Sequence, residues 1–179
     1  MHRLFVALRL PQDIRDLLVD AMDDSPELRW VPEDNLHLTL RFIGEVERPM
    51  ADDIASALDR IRAPRFAMRI SGVGMFDRRN GGALWAGVAP KEPVAALAAK
   101  IERACQSAGV AAEQRAFHPH ITLARFNRQT RPIALSSLER TGGLASEPFE
   151  VTSFELIESR LSRHGAHYET VAEYPLVVD

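Results

Sequence analysis

The chain repeats one four-residue pattern, His37-Leu38-Thr39-Leu40 and His120-Ile121-Thr122-Leu123. On a β-strand, residues i and i+2 point to the same face. Each copy therefore presents an imidazole and a hydroxyl together, while its two aliphatic residues face a core. Two imidazoles can serve as acid and base, and two hydroxyls can hold an anion. The repeat predicts a single site with two-fold character, built from both copies.

The elements around the two copies follow the same order. The residue pattern predicts a strand, a helix and a His-Thr strand at 3–9, 11–22 and 36–43, and again at 83–89, 92–108 and 118–126. It also predicts a helix at 50–62, strands at 65–76, 149–161 and 167–177, and a loop with one short helix at 127–147. We expect an α+β fold with two pseudo-symmetric lobes of mainly antiparallel sheet, outer helices and a central cleft. The two His-Thr strands would face each other across that cleft.

Length and composition limit the possible classes of protein. A chain of 179 residues is long enough for one well-buried core, so we expect residues 1–179 to form a single domain. No stretch approaches the ~18 apolar residues of a membrane span, and the short N-terminal segment does not resemble a signal peptide. Cys105 is the only cysteine, which excludes an internal disulfide and fits a reducing compartment. We therefore expect a cytoplasmic protein that does not bind membranes. Nothing in the sequence demands a dimer, so a monomer is expected.

The charge balance argues against a surface that attracts nucleic acid everywhere. The formal net charge is −3, so a polyanion must be held locally. Only Lys91 and Lys100 are lysines among the 22 basic residues. Arginine forks match phosphate oxygens in pairs, although a coding bias explains most of these arginines equally well.

Three segments resemble a known family. Residues 30–44, which contain His37 and Thr39, resemble the first motif of the 2H phosphoesterases, and more narrowly of the bacterial RNA 2′,3′-cyclic phosphodiesterases, also called 2′-5′ RNA ligases. Residues 117–125, which contain His120 and Thr122, resemble the second motif, and residues 158–168 resemble the end of that subgroup. The resemblance extends from about residue 3 to about residue 177.

The resemblance implies a bilobal enzyme that needs neither metal nor cofactor. It would open a 2′,3′-cyclic phosphate, on an RNA 3′ end or a small nucleotide, to a 2′-phosphomonoester. His37 would be the proton donor and His120 the proton acceptor, and Thr39 and Thr122 would bind phosphate oxygens. An arginine after the second motif is a family feature, so Arg125 would be a substrate ligand.

The chemistry of the residues agrees with these roles. Histidine has an ordinary pKa of about 6.5, so it can give or take a proton near neutral pH. Two histidines on opposite sides of one phosphorus atom can do both in an in-line displacement. In the reverse direction, the same groups could activate a 5′-hydroxyl against a cyclic phosphate, which gives a ligase activity without ATP.

Several neighbours of the motifs are secondary candidates. Strict alternation places Arg41 on the face of His37 and Thr39, and it places Arg125 on the face opposite His120, so a bulge or strand twist would be needed to bring Arg125 to a phosphate. The aromatic residues Phe42, Phe76 and Trp85 could stack on a base. We expect core packing for Phe42 and leave Trp85 open. His118 could tune His120, hold substrate or lie at the rim.

Three alternatives remain at the level of sequence. A metal hydrolase could use His37, His118 and His120 as ligands, although the paired threonines would then be unexplained and no carboxylate stands at a recognised ligand spacing from these histidines. The acidic residues Asp20, Asp23 and Asp24 are interpreted as a solvated helix end and not as a carboxylate cluster. A protein of the same fold could bind RNA without catalysis. An enzyme of the same chemistry could act on small cyclic nucleotides or on ADP-ribose cyclic phosphate.

Overall fold

The protein is described by a computed structural model that covers residues 1–22 and 25–178. Its elements, in chain order, are β1 (His2–Arg9), α1 (Gln12–Ala21), β2 (Arg29–Trp30), β3 (His37–Val46), α2 (Arg48–Asp59), β4 (Phe66–Arg78), β5 (Gly81–Ala89), α3 (Glu92–Ser107), β6 (Ile121–Asn127), α4 (Arg131–Arg140), β7 (Phe149–Val151), β8 (Ser153–Ser162) and β9 (Gly165–Pro175). Asp20 is exposed in the last turn of α1, whereas the predicted helix-end residues Asp23 and Asp24 lie outside the described residues.

The strands form one antiparallel sheet in the order β7-β4-β5-β6-β3-β1-β8-β9, and the two-residue β2 pairs with β6. The two motif strands, β3 and β6, lie at its centre. On one side β3 is followed by β1, β8 and β9, and on the other β6 is followed by β5, β4 and β7. The predicted α+β fold with two similar lobes is therefore confirmed. The motif strands, however, pair directly at Leu38 and Ile121 instead of facing each other across the cleft.

The main core lies on one face of the sheet, beneath α1, α2 and α3. It contains the aliphatic residues that alternate along the central strands together with one face of each helix: Val6, Leu8, Leu38, Ile121, Ile14, Leu18, Ile54, Leu58, Val94, Leu97, Ile101 and Cys105. A smaller apolar cluster contains Ala134 of α4 and residues of β5 and β6. In the described part of the chain, no helix is long and apolar enough to cross a membrane. With the helices on one face, the imidazole and hydroxyl groups of the motifs emerge on the other.

The clearest difference from the sequence prediction is at residues 149–161. One predicted strand here is two strands that belong to opposite lobes, since β7 pairs with β4 and β8 pairs with β1. Strand periodicity reports which face a residue occupies but not which partner the strand has, so the crossing at Thr152 was not visible in the pattern. The short helix predicted within 127–147 is α4. His120 lies one residue before β6 begins, whereas the prediction placed it within the strand.

Candidate active site

The four motif side chains come together at the centre of the sheet. Leu38 pairs with Ile121 in an antiparallel register, and both side chains are fully buried in the core. Extending that register by one residue in each direction places His37 beside Thr122 and Thr39 beside His120, on the opposite face. Side chains directly opposite one another on paired strands are about 5 Å apart at Cβ. The sheet thus brings two imidazoles and two hydroxyls into one square.

The His37 ring is fixed by both of its nitrogens. Its Nδ1 lies 2.6 Å from the carbonyl oxygen of Asn35, and its Nε2 lies 2.9 Å from Oγ1 of Thr39. Because a carbonyl only accepts, Nδ1 carries the proton, and Nε2 of the neutral ring accepts from the threonine hydroxyl. The rings of Phe5 and Tyr168 have centroids 5.0 and 5.5 Å from the imidazole. Burial lowers the pKa of His37 to about 4, and the nearby charges of Arg9, His120 and Arg125 act in the same direction.

His120 has a matching environment in the second lobe. Its Nδ1 donates to the carbonyl oxygen of His118 at 2.6 Å, so its Nε2 is also the unprotonated nitrogen of the neutral ring. Phe76 and Trp85 lie edge-on to it, with centroid separations of 4.8 and 6.1 Å. Burial lowers its pKa below the ordinary 6.5, with further contributions from the charges of His118 and Arg125. Both rings are therefore held in the same tautomer and are mainly neutral near pH 7.

A β-bulge brings Arg125 to this face. Leu84 of β5 pairs with Ala124 and Trp85 pairs with Thr122, so Leu123 is an extra residue in β6. Leu123 and Ala124 are consequently both buried, and the alternation resumes with Arg125 exposed on the side of His120. Its charge lowers the pKa of both imidazoles, and it makes no ion pair with any residue in the described ranges. The expected bulge is thus present.

The corresponding bulge in β3 contradicts the prediction for Arg41. Val6 pairs with Arg41 and Ala7 pairs with Thr39, which leaves Leu40 as the extra residue. Arg41 consequently points away from His37 into the protein, where only 8% of it is exposed. Its guanidinium donates to the carboxylate of Glu102 on α3 and, at 2.6 Å, to the carbonyl oxygen of Ala111. Arg41 is a structural residue that fastens the segment leading to His120.

The prediction of core packing for Phe42 is also wrong. The residue is 41% exposed, and the guanidinium carbon of Arg3 lies 5.2 Å from the centroid of its ring. Relative to the bulge, Phe42 takes in β3 the position that Arg125 takes in β6. The two lobes thus differ here, with an aromatic ring on one side and a cation on the other.

Sequence reasoning missed the rings beside His37. Phe5 and Tyr168 contact each other with centroids 5.0 Å apart and enclose the imidazole from β1 and β9. Tyr168 is 131 residues from His37 along the chain. The only signal for Phe5 was its alternating position in the first strand, and residues of a strand that face a core look the same.

A cavity of about 530 Å³ adjoins His120. It is lined by residues of β4 and β5, the beginning of α3 and the segment before β6, among them Phe76, Trp85, Lys91, His118 and His120. The alternative metal site at His37, His118 and His120 does not form, because the described residues contain no group of three or more His, Cys, Asp or Glu side chains that could hold a metal ion. Paired imidazoles with paired hydroxyls and an unpaired guanidinium are instead suited to acid–base chemistry on a phosphate ester.

Comparisons with known proteins agree with this geometry. A family model described as the 2′-5′ RNA ligase superfamily matches residues 9–163, and the chain belongs to this superfamily. It is 36% identical to the RNA 2′,3′-cyclic phosphodiesterase of Aeropyrum pernix over 149 residues, which cover 82% of this chain and 85% of that protein. The Escherichia coli protein of the same name is 31% identical over 179 residues, covering 98% and 97% of the two chains. The crystal structure of E. coli LigT in the apo form matches with a TM-score of 0.77 at 28% identity, covering 98% of both chains.

The ion pair of Arg41 and Glu102 leads to a prediction about acid stability. The hydrogen bond from Arg41 holds the pKa of Glu102 at about 2, against an ordinary value of 4.5. The ionised carboxylate therefore stabilises the folded state fully above pH 4.5, and this contribution is lost as the pH falls toward 2. We expect Glu102→Gln to lower the free energy of unfolding by about 2 kcal/mol near neutral pH. The difference from the wild type should shrink across that acid range in urea titrations.

The matched control is Glu150→Gln, because Glu150 is an exposed glutamate on β7. It should follow the wild type at every pH. A Glu102→Gln deficit of the same size at neutral pH and near pH 2.5 would contradict the assignment of the stabilisation to the ionised carboxylate.

Proposed function

We propose that this protein opens 2′,3′-cyclic phosphodiesters at RNA 3′ ends, without a metal ion, and leaves 2′-phosphomonoesters. The observation that supports this most strongly is the square formed by His37, Thr39, His120 and Thr122, with the unpaired Arg125 beside it. Relatives at 36% and 31% identity are named RNA 2′,3′-cyclic phosphodiesterases. A mononucleotide with the same cyclic phosphate presents the same reacting group. We further propose that residues 1–179 act as one domain, as a monomer and in the cytoplasm.

The reaction needs two proton transfers on opposite sides of phosphorus. Nε2 of His120 takes a proton from the attacking water, and Nε2 of His37, when protonated, gives one to the departing 3′ oxygen. The hydroxyls of Thr39 and Thr122 donate to the non-bridging oxygens, where charge builds up in the transition state. Arg125 supplies a positive charge on the same face. The hydrogen bonds from both Nδ1 atoms to carbonyl oxygens hold both Nε2 atoms ready for these transfers.

The protonation of the two imidazoles has to change when the free enzyme binds substrate. Catalysis requires one neutral and one protonated imidazole, whereas the lowered pKa values leave both mainly neutral near pH 7. A cyclic phosphate carries one negative charge, and an anion beside an imidazole raises its pKa. Substrate binding therefore draws in the proton that His37 later delivers. Because His37 is so strongly desolvated, its protonated form is also a strong acid.

The two histidines can be tested separately. We expect His37→Ala and His120→Ala each to lower kcat by roughly 10²–10⁴-fold, because each removes one proton transfer. The substrate is a short oligonucleotide with a 2′,3′-cyclic phosphate, incubated in EDTA, and the product is compared chromatographically with authentic 2′- and 3′-phosphates. His164→Ala, at an exposed histidine, is the control and should keep wild-type activity. A 3′-phosphate product, or hydrolysis abolished by EDTA, would overturn the proposal.

The pH dependence should differ between the free enzyme and the complex. Since both pKa values in the free protein lie below 6.5, kcat/KM should have its maximum below pH 6.5 and fall by about tenfold per pH unit on the alkaline side. Bound phosphate raises the pKa of the proton donor, so the protonated form persists to higher pH in the complex. The alkaline limb of kcat should therefore lie at higher pH than that of kcat/KM. A kcat/KM that is flat between about pH 6 and pH 8 would contradict this proton assignment.

The threonine hydroxyls give a further test, since Thr→Val keeps the shape and removes the donor. We expect Thr122→Val to lower kcat by about 10²-fold with a smaller effect on KM, as the loss of one transition-state donor requires. Thr39→Val should do the same and should also remove the hydroxyl that faces Nε2 of His37. Thr152→Val, at an exposed threonine outside the site, should have no effect. An unchanged kcat in both site variants would remove the threonines from the mechanism.

A further inference from the structure

Two arginines stand directly opposite each other beside the candidate active site. Arg29 of β2 pairs with Arg125 of β6, and both side chains are exposed. Within residues 1–22 and 25–178, neither guanidinium makes an ion pair or a hydrogen bond. Residues directly opposite on paired strands are about 5 Å apart at Cβ, and like charges in such a pair are destabilising. The pair therefore costs folding stability unless an anion lies against the two guanidinium groups.

Arg29 points to the face of the sheet that carries the four motif side chains. Its two neighbours, Leu28 and Trp30, pack into the smaller apolar cluster on the other face, and successive residues of a strand point to opposite faces. The backbone of this segment is also fixed, because the N–H of Val31 donates to the carbonyl oxygen of Leu123 at 2.8 Å. The packing of its neighbours thus holds Arg29 on this face, although its own side chain has no partner there.

The arginine pair lies on the side of the site from which the leaving group departs. On this face, opposite residues form three successive rows: Thr39 with His120, His37 with Thr122, and Arg29 with Arg125. Neighbouring rows are two strand residues apart, which is ~7 Å. In the proposed mechanism, His37 protonates the departing 3′ oxygen, and the ribose stays attached to that oxygen. The ribose therefore lies on the side of His37, and the arginine pair forms the next row beyond it.

We propose that Arg29 binds the phosphate on the 5′ oxygen of the terminal nucleoside, while Arg125 faces the scissile phosphate. The proposal rests on the proposed function and names the substrate class of the same site, a cyclic phosphate whose nucleoside carries a second phosphate. An RNA end longer than one nucleotide has this phosphate, and a mononucleotide with a free 5′-hydroxyl does not. A guanidinium fork matches two oxygens of a phosphate, and the second negative charge offsets the repulsion between the two arginines.

A matched pair of variants isolates the charge of Arg29. Arg29→Gln removes that charge at an exposed position, so the fold should be retained. Because this variant also relieves a like-charge pair, its Tm should not fall below that of the wild type. The control is Arg103→Gln, which removes the same charge from an exposed position on α3, on the other side of the sheet.

The experiment compares the hydrolysis of three substrates in EDTA. They are adenosine 2′,3′-cyclic phosphate, the same mononucleotide with a 5′-phosphate, and the adenosine dinucleotide that ends in the same cyclic phosphate. In the wild type, kcat/KM should be about tenfold higher for the two substrates with a second phosphate, which corresponds to 1.4 kcal/mol of binding. Arg29→Gln should remove most of this advantage, chiefly by raising KM, because the contact is made equally in the ground state and the transition state. Arg103→Gln should keep the full advantage.

Three results would overturn the proposal. An equal loss for all three substrates in Arg29→Gln would place Arg29 on the scissile phosphate. An advantage that survives undiminished in Arg29→Gln would assign it to the upstream base or to other residues. Equal kcat/KM values for the three substrates in the wild type would mean that no second phosphate site exists, although the proposed function would still stand. If the wild type hydrolyses none of the three, the proposed function fails together with the inference.

Discussion

The pairing of Leu38 with Ile121 is the constraint on which the site depends. This pair joins β3 to β6 at the centre of the sheet and so joins the two lobes. Burying such aliphatic side chains is worth roughly 1.5–3 kcal/mol each, and a slip of either strand by one residue would turn its aliphatic residue away from the core. The same slip would turn one histidine and one threonine of the motif into the core. The hydrophobic core therefore fixes the register that sets one imidazole beside the hydroxyl of the other motif.

The two bulges occupy equivalent positions in β3 and β6, but they present different side chains to the site. Leu40 and Leu123 are extra residues at equivalent positions, the fourth residue of each motif. The residue that follows each bulge is turned into the protein, and the next one is returned to the open face. In β6 that open-face residue is the cation Arg125, whereas in β3 it is Phe42. The position after the bulge is therefore charged in one lobe and aromatic in the other, so the two ends of a bound phosphate ester meet different side chains there.

How far the sequence could predict this site depended on the range of the interactions. The positions of His37 and Thr39 follow from strand periodicity, a local property, and the repetition at His120 and Thr122 made the pairing of the motifs predictable. A bulge depends on how the neighbouring strand pairs, so a single strand pattern places Arg41 on the wrong face. The strand pattern likewise placed Arg125 on the face opposite His120, and only the resemblance to a family suggested that Arg125 lies in the site. Tyr168 lies far from His37 in the sequence, and only the completed sheet brings the two rings together.

The electrostatics of the site connect binding with catalysis. Burial and the nearby Arg125 charge both disfavour an imidazolium, so the empty protein holds its histidines neutral. A bound phosphate reverses this balance, since its charge offsets that of Arg125 and favours the protonated ring. The protonated imidazole that serves as proton donor is thus formed when the phosphate ester binds. Desolvation disfavours the protonated form of His37 in the free protein. Because charges interact more strongly where water is excluded, the same desolvation makes the protonated ring a strong proton donor once the substrate is bound.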